Sequence, residues 1–163
     1  MGDNNNLNFD DLDLDMELPE LPELDLDLDL DLDLDFGDDF RSRVMVIDDD
    51  AGTLRNIKSL LDTVYVVSVC NSGKKALDML EQEKPDVILL DYEMPMLNGP
   101  ETLQRIRQKP AFKNTPVIFL TGVNDRSQIA AALALRPAGY LLKPVDQNKL
   151  LMTILDALNS NVQ

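Results

Sequence analysis

The chain has 163 residues, with 30 Asp and Glu, 15 Lys and Arg and no His, which gives a formal net charge of −15. The acidic surplus lies at one end: residues 1–40 contain 16 acids and no base, whereas residues 41–163 contain 14 acids and 15 bases. Without histidine there can be no Ser-His or Cys-His nucleophile pair, no histidine metal ligand and no phosphohistidine. These counts exclude most hydrolase mechanisms, and the net acidity argues against direct nucleic-acid binding.

The cellular compartment follows from three further features. The single cysteine, Cys70, cannot form a disulfide within the chain, and the first residues lack the basic and apolar regions of a secretory signal. The longest apolar run, Ile129 to Leu135, is far shorter than the ~20 residues that a membrane-spanning helix needs. We therefore predict a cytoplasmic protein with no membrane span.

The first 40 residues have low sequence complexity, with LDLDLDLDLDLD at residues 24–35. As a strand this segment would align aspartates along one face, where like charges repel, and as a helix it would have no apolar stripe. We therefore predict that residues 1–40 form a disordered, acidic Leu-Asp-rich tail. Two roles stay open for it: docking to a basic partner that has an apolar groove, or simply keeping the protein in solution.

From Arg41 onward, short β-branched runs alternate with segments that have helical spacing of apolar residues. The predicted strands are Val44–Ile47, Val64–Val69, Val87–Leu90, Val117–Leu120 and Tyr140–Leu142. The predicted helices lie near 52–61, 73–83, 99–108, 125–135 and 146–159. This alternation predicts an α/β domain over residues 41–163, with a doubly wound, five-stranded parallel sheet and helices on both faces.

Polar side chains follow four of the five predicted strands. Asp48, Asp49 and Asp50 come after the first strand, Asp91 after the third, Thr121 after the fourth and Lys143 after the fifth. Each one alone has an ordinary explanation as a helix cap, a turn residue or a surface lysine. Because functional sites of such sheets gather at the carboxyl ends of the strands, their common position indicates a constructed pocket.

The residue types in this pocket suggest a chemistry. Asp48, Asp49 and Asp91 would repel one another unless a divalent cation lay between them, and an all-oxygen carboxylate site favours Mg²⁺ over Zn²⁺. The ion, Lys143 and the Thr121 hydroxyl could balance the charge of a phosphoryl group. One carboxylate could then act as the nucleophile toward a phosphodonor.

Over about residues 43–159 the chain resembles the receiver domain of two-component response regulators. The resemblance is carried by VMVIDDD (44–50), DVILLDYEMPMLNG (86–99), PVIFLTG (116–122) and GYLLKPV (139–145). It implies a flavodoxin-like sheet with strand order 2-1-3-4-5. It also implies a signalling protein that is not an enzyme beyond its own phosphorylation and dephosphorylation.

The resemblance assigns the acids of the pocket. It implies that Asp91 is the phosphoacceptor and that Asp48 and Asp49 are the acidic pair that holds Mg²⁺. Asp49 and Asp91 would be direct ligands and Asp48 would act mainly through water, with the backbone carbonyl of Glu93 as the third protein ligand.

The resemblance also assigns the remaining polar groups. Thr121 would coordinate the phosphoryl group together with Lys143, and Tyr140 would be the aromatic residue that turns inward on activation. A cis peptide bond is expected between Lys143 and Pro144.

The implied partners are a histidine kinase or phosphotransfer protein as phosphodonor, and a downstream protein that binds helix 4, strand 5 and helix 5. Because the chain ends soon after the fifth predicted helix, we expect a stand-alone receiver. Two positions depart from the common pattern. Gly122 replaces a frequent Ala, which should keep access to Asp91 open, and Arg136-Pro137 replaces a frequent Gly-Ala, which could alter the output surface.

Two other functions are weighed against this one. The domain could be a non-phosphorylated adaptor that acts through the acidic tail. It could also be a phosphatase of the haloacid dehalogenase type, because Asp48 and Asp50 form an Asp-x-Asp pair after a strand. The second alternative fits poorly, since Gly52 stands where that motif requires Thr and the chain is too short for the usual cap domain.

Overall fold

The computed structural model describes residues 40–122 and 126–160. The chain divides into two units, Met1–Phe40 and Arg41–Gln163. The predicted disorder of the acidic tail concerns residues that lie, apart from Phe40, outside the described part of the chain. Among the described residues, no helix combines the length and apolar character needed to cross a membrane.

The second unit contains a five-stranded parallel sheet. The strands are β1 (Arg43–Ile47), β2 (Val66–Cys70), β3 (Val87–Asp91), β4 (Val117–Thr121) and β5 (Gly139–Leu142). Their order is β2-β1-β3-β4-β5, and every neighbouring pair is parallel. The predicted fold class and strand order are therefore confirmed.

Five α-helices connect and follow the strands. They are α1 (Ala51–Leu61), α2 (Gly73–Glu83), α3 (Gly99–Gln108), α4 (Arg126–Ala134) and α5 (Gln147–Ser160), and a short 3₁₀ turn, Pro110–Phe112, follows α3. Each lies within one or two residues of the predicted segment. Ser72, a residue type that favours helix N-caps, caps α2: its hydroxyl accepts a hydrogen bond from the Lys75 amide at 3.1 Å.

The two faces of the sheet carry separate apolar clusters. Alternate residues of β1 point to opposite faces: Val44 and Val46 pack with α1 and α5, whereas Met45 and Ile47 pack with α2, α3 and α4. Every residue of β3 and β4 is buried, as expected for central strands that are covered on both sides. Because helices cover both faces, the polar parts of the sheet are the two rows of strand ends. We call the row where the strands end the carboxyl edge and the row where they begin the opposite edge.

The start of β2 differs from the prediction. The sequence pattern placed the strand at Val64–Val69, but the amides of Val64 and Tyr65 both donate to the Leu61 carbonyl at 2.9 Å. These bonds close a turn after α1 and use the donors that a strand would need. The strand accordingly begins at Val66 and includes Cys70.

Helix α4 is the least buried of the five. Ala132 is its single buried residue, whereas α1 and α5 each bury three residues. Leu133 of α4 is 47% exposed. Few apolar contacts hold this helix on the sheet, which is a property of segments that move at low cost.

Candidate phosphorylation site

The polar groups predicted from the sequence meet at the carboxyl edge of the sheet. Asp48 directly follows β1, Asp91 is the last residue of β3, Thr121 is the last residue of β4, and Lys143 directly follows β5. Because β1, β3, β4 and β5 are successive neighbours, their carboxyl ends lie side by side. The sheet order thus brings together residues that are as much as 95 positions apart in the chain.

Three carboxylates form a compact cluster at this edge. Asp48 is fully buried, Asp91 is 4% exposed, and Asp49 is exposed. One oxygen from each of the three lies within 4.8 Å of the others. A cluster of hard oxygen ligands that is open on one side suits Mg²⁺, which retains several waters when bound to proteins. The donor set therefore fits the predicted ion.

Lys143 supplies the positive charge of the cluster. Its Nζ lies 2.7 Å from Asp48 Oδ2 and 3.1 Å from Asp91 Oδ1. Its backbone amide donates to the Thr121 carbonyl at 2.8 Å, which fixes the end of β5 against β4. The peptide bond from Lys143 to Pro144 is cis, as predicted.

Asp48 is held by the backbone as well as by this ion pair. Its Oδ1 accepts from the Asp50 amide at 2.9 Å, and its own amide donates to the Cys70 carbonyl at 3.1 Å. Its Oδ2 receives no well-directed hydrogen bond from the described residues, so the nearby Lys143 ammonium stabilises it chiefly by charge. A buried carboxylate in this position depends on a cation.

The cluster alters the protonation of Asp91. Burial of the carboxyl and the neighbouring charge of Asp48 raise the pKa of Asp91 to about 7, although Lys143 opposes the shift. Burial alone would lower the pKa of Lys143, but its ion pairs with Asp48 and Asp91 leave that pKa above its ordinary value. Near neutral pH, a proton and a cation therefore compete for Asp91.

The third aspartate of the Asp48-Asp49-Asp50 run has a different role. Asp50 is the N-cap of α1, and its Oδ2 accepts from the Thr53 amide at 3.0 Å and from the Thr53 hydroxyl at 2.7 Å. These hydrogen bonds with Thr53 lower the pKa of Asp50. The ordinary explanation of an acid at a strand-to-helix junction thus applies to Asp50, which bonds to Thr53 and is not one of the three clustered carboxylates.

The loop after β3 folds back against Asp91, a feature the sequence reasoning missed. The Gly99 amide donates to the Tyr92 carbonyl at 3.0 Å, and a Cβ at Gly99 would lie 2.5 Å from the Asp91 carbonyl oxygen. Only glycine permits this approach. The Asn-Gly pair at 98–99, which is typical of a turn, was the available signal. The same loop contains Glu93, whose side chain is exposed two residues past Asp91.

Thr121 and Tyr140 lie beside one another at the far side of the cluster. Thr121 is buried, with 7% exposure, whereas Tyr140 is 37% exposed. Both line a narrow gap beneath α4 that has a volume of about 10 Å³. Among the described residues, no atom lies within 4 Å of a Cβ added at Gly122, so an alanine would fit at this position.

Comparison with known proteins gives one consistent result. Residues 44–155 match the response regulator receiver domain family. The chain is 40% identical over 109 residues to a protein-glutamate methylesterase/protein-glutamine glutaminase of Trichodesmium erythraeum, with 64% of this chain and 30% of that protein covered. It is 30% identical over 124 residues to the transcriptional regulatory protein YdfI of Bacillus subtilis, with 74% of this chain and 57% of that protein covered.

The chain thus spans between 30% and 57% of the length of these two relatives. Among solved structures, the chemotaxis protein CheY4 of Vibrio cholerae superposes with a TM-score of 0.68 at 28% identity, covering 72% of this chain and 99% of that one. The chain therefore belongs to the response regulator receiver domain family.

Proposed function

We propose that this receiver domain is a phosphoacceptor switch in which Asp91 takes a phosphoryl group from a histidine kinase or a phosphotransfer protein. The observation that carries the proposal is the contact of buried Asp91 with Asp48 and Lys143 at one edge of the sheet. A buried carboxylate, a second carboxylate and an ammonium within hydrogen-bonding distance form a costly arrangement. Phosphoryl transfer gives that arrangement a use.

In the proposed reaction an oxygen of the Asp91 carboxylate attacks the phosphorus of the donor. The new O–P bond forms as the P–N bond to the donor's imidazole breaks, and the imidazole leaves with the bonding electrons and takes up a proton. Lys143 Nζ, 3.1 Å from Asp91 Oδ1, is close enough to stabilise negative charge on the transferred group. Thr121 is proposed to donate its hydroxyl to a phosphoryl oxygen.

The residues that would hold Mg²⁺ are Asp49 and Asp91 directly, Asp48 mainly through water, and the backbone carbonyl of Glu93. When bound, the ion supplies positive charge that offsets the carboxylates and the phosphoryl oxygens. The three carboxylate oxygens within 4.8 Å of one another support this assignment. Receiver domains act as signalling switches rather than as enzymes with a separate substrate, and we propose the same for this chain.

The proposed output surface is formed by α4, β5 and α5, where it would bind a downstream protein. The large apolar side chains that are exposed on these three elements are Leu133, Tyr140, Leu142, Met152 and Leu155. Apolar side chains exposed to solvent in this way are a common feature of protein interfaces. Tyr140 is proposed to turn inward once Asp91 is phosphorylated, which would change the shape of this surface.

A direct experiment is to incubate the full chain with acetyl phosphate, with and without Mg²⁺, and to measure its intact mass. We expect a single phosphoryl adduct that requires Mg²⁺ and is absent from Asp91→Asn. Asp62→Asn, at the opposite edge of the sheet, is the matched control and should be phosphorylated normally. An adduct that persists in Asp91→Asn, or none in the wild type, would contradict the proposal.

The alternative functions receive less support from the site. A phosphatase of the haloacid dehalogenase type requires the second acid of its Asp-x-Asp pair to face the substrate, but Asp50 bonds to Thr53 as a helix cap. An adaptor function of the acidic tail concerns residues outside the described part of the chain. Its test is deletion of residues 1–40: loss of partner binding with unchanged phosphorylation would assign recognition to the tail.

A further inference from the structure

A residue that lines the gap beneath α4 has an unusual polar atom. Besides Thr121 and Tyr140, the gap is lined by Gln128 and Ala132 of α4. The side-chain oxygen of Gln128, Oε1, is buried and receives no hydrogen bond from the described residues. Buried amide oxygens nearly always have a donor, so this acceptor calls for an explanation.

The shape of the gap limits which donor can reach Gln128. A volume of about 10 Å³ holds about one water and is far smaller than a phenol ring. Entry of a larger group requires α4 to shift. Ala132 is the only residue of α4 that is buried, so few contacts hold the helix and such a shift costs little free energy.

Tyr140 is the donor best placed to enter. It is paired in register with Phe119 on the neighbouring strand, and its side chain lies on the α4 face because that of Leu141 packs on the opposite face. The other tyrosine that lines the gap, Tyr92, packs edge-to-face on Phe119 with ring centroids 5.3 Å apart. Tyr140, at 37% exposure on an edge strand, has room to rotate between solvent and the gap.

We infer that Gln128 is a positioning residue of the switch, whose Oε1 accepts a hydrogen bond from the Tyr140 hydroxyl when that ring turns into the gap. The inference rests on the proposed function, because it concerns the inward position of Tyr140. A hydrogen bond made only in the inward state stabilises that state. By linkage, it also raises the affinity of the Asp91 site for a phosphoryl group or its analogue, by at most the factor by which it favours the inward state.

The test is a double-mutant cycle on the full chain, with the affinity for beryllium fluoride in the presence of Mg²⁺ as the measurement. Gln128→Met keeps the side-chain length but removes the acceptor, and Tyr140→Phe removes the donor. Each is expected to weaken binding about fivefold, and the double variant no more than either single one. Gln104→Met, on the exposed face of α3, is the matched control and should bind as the wild type does.

A second readout separates positioning from a general effect on packing. The chain has three tyrosines, so incorporation of 3-fluorotyrosine gives three ¹⁹F resonances, and Tyr140→Phe identifies the one from Tyr140. Beryllium fluoride should shift that resonance in the wild type and shift it less in Gln128→Met. Gln128→Leu repeats the test should the methionine variant fold poorly.

The outcomes are distinguishable. Losses that add in the double variant, or a Gln128→Met variant that behaves like Gln104→Met, overturn the inference while leaving the proposed function intact. Failure of the wild type to bind beryllium fluoride, with Asp91→Asn giving the same result, overturns the proposed function and the inference together.

Discussion

Both edges of the sheet carry aspartates but use them differently. At the carboxyl edge, Asp48 and Asp91 are buried and share the ammonium of Lys143. At the opposite edge, Asp86 accepts from the Arg43 amide at 2.7 Å, and Asp62 forms an exposed ion pair with Lys58 at 2.9 Å. Each acid of the second edge has a local partner, whereas the acids of the first edge are arranged toward one another. Composition alone does not distinguish the two sets; their mutual distance does.

Removal of the shared cation should have the largest effect on this difference. Lys143→Met leaves Asp48 buried without a counter-charge, and we expect the free energy of unfolding at pH 7 to fall by about 3 kcal/mol. The measurement is urea denaturation without added metal. Lys149→Met, on an exposed residue at the start of α5, is the control and should lie within about 0.5 kcal/mol of the wild type. Equal losses from the two variants would show that the carboxyl edge has no special dependence on its lysine.

Alanine substitutions at two glycines test how much room the backbone leaves for a Cβ at the carboxyl edge. Gly99→Ala places a Cβ 2.5 Å from the Asp91 carbonyl oxygen and 2.8 Å from Tyr92 Cα, so the loop must move. We expect a loss of about 2 kcal/mol in unfolding free energy and slower phosphorylation by acetyl phosphate. Gly122→Ala has open space and should change neither quantity. Equal tolerance of alanine at both positions would mean that the loop after β3 does not need to press on the acceptor.

The pH dependence of stability gives a more specific test of the cluster. The pKa of Asp91 is raised to about 7, above the ordinary 3.8, so the folded protein binds this proton more tightly than the unfolded chain does. The resulting stabilisation is complete below the unfolded pKa and is lost as the pH rises through 7. Without metal, the stability of the wild type relative to Asp91→Asn should therefore fall by about 2 kcal/mol between pH 5 and pH 8.

Unfolding in urea with a chelator, repeated across this pH range, measures that difference. At pH 8, Mg²⁺ should restore the free energy of unfolding of the wild type, because the ion offsets the negative charge of Asp91. It should change that of Asp91→Asn little, because the asparagine side chain is neutral. A difference between the two proteins that stays constant with pH would show that Asp91 is not the group that carries the shift.

Much of this edge could be predicted from sequence because its signals are local. Strand ends, the Ser72 cap and the X–Pro bond at Pro144 each depend on a few neighbouring residues, and the structure agrees with all three kinds of signal. The predicted start of β2 was wrong. Val64 and Tyr65 have side chains that are typical of a strand, but their amides donate to a carbonyl of α1. The pattern of side chains along a sequence does not reveal which backbone hydrogen bonds form.

Other features depend on contacts that no local pattern contains. Which of three consecutive aspartates caps α1 depends on which side chain points outward, and the need for glycine at 99 depends on how the loop returns to Asp91. Arg136 shows the intermediate case. The sequence singled it out as a departure, and the structure shows why glycine is common there: the residue takes a left-handed conformation, with φ of 58°.

The smallest effect is expected from an acid of the opposite edge. Asp86→Asn keeps an oxygen that can accept from the Arg43 amide but loses the charge, and the position is exposed. We expect a loss of about 0.5 kcal/mol in unfolding free energy and an unchanged rate of phosphorylation by acetyl phosphate. The loss should be the same at pH 5 and pH 8, because the backbone bond persists across this range. A loss that shrank as the pH rose, as expected at Asp91, would mean that acids at both edges belong to one electrostatic cluster and that distance from Lys143 does not define the site.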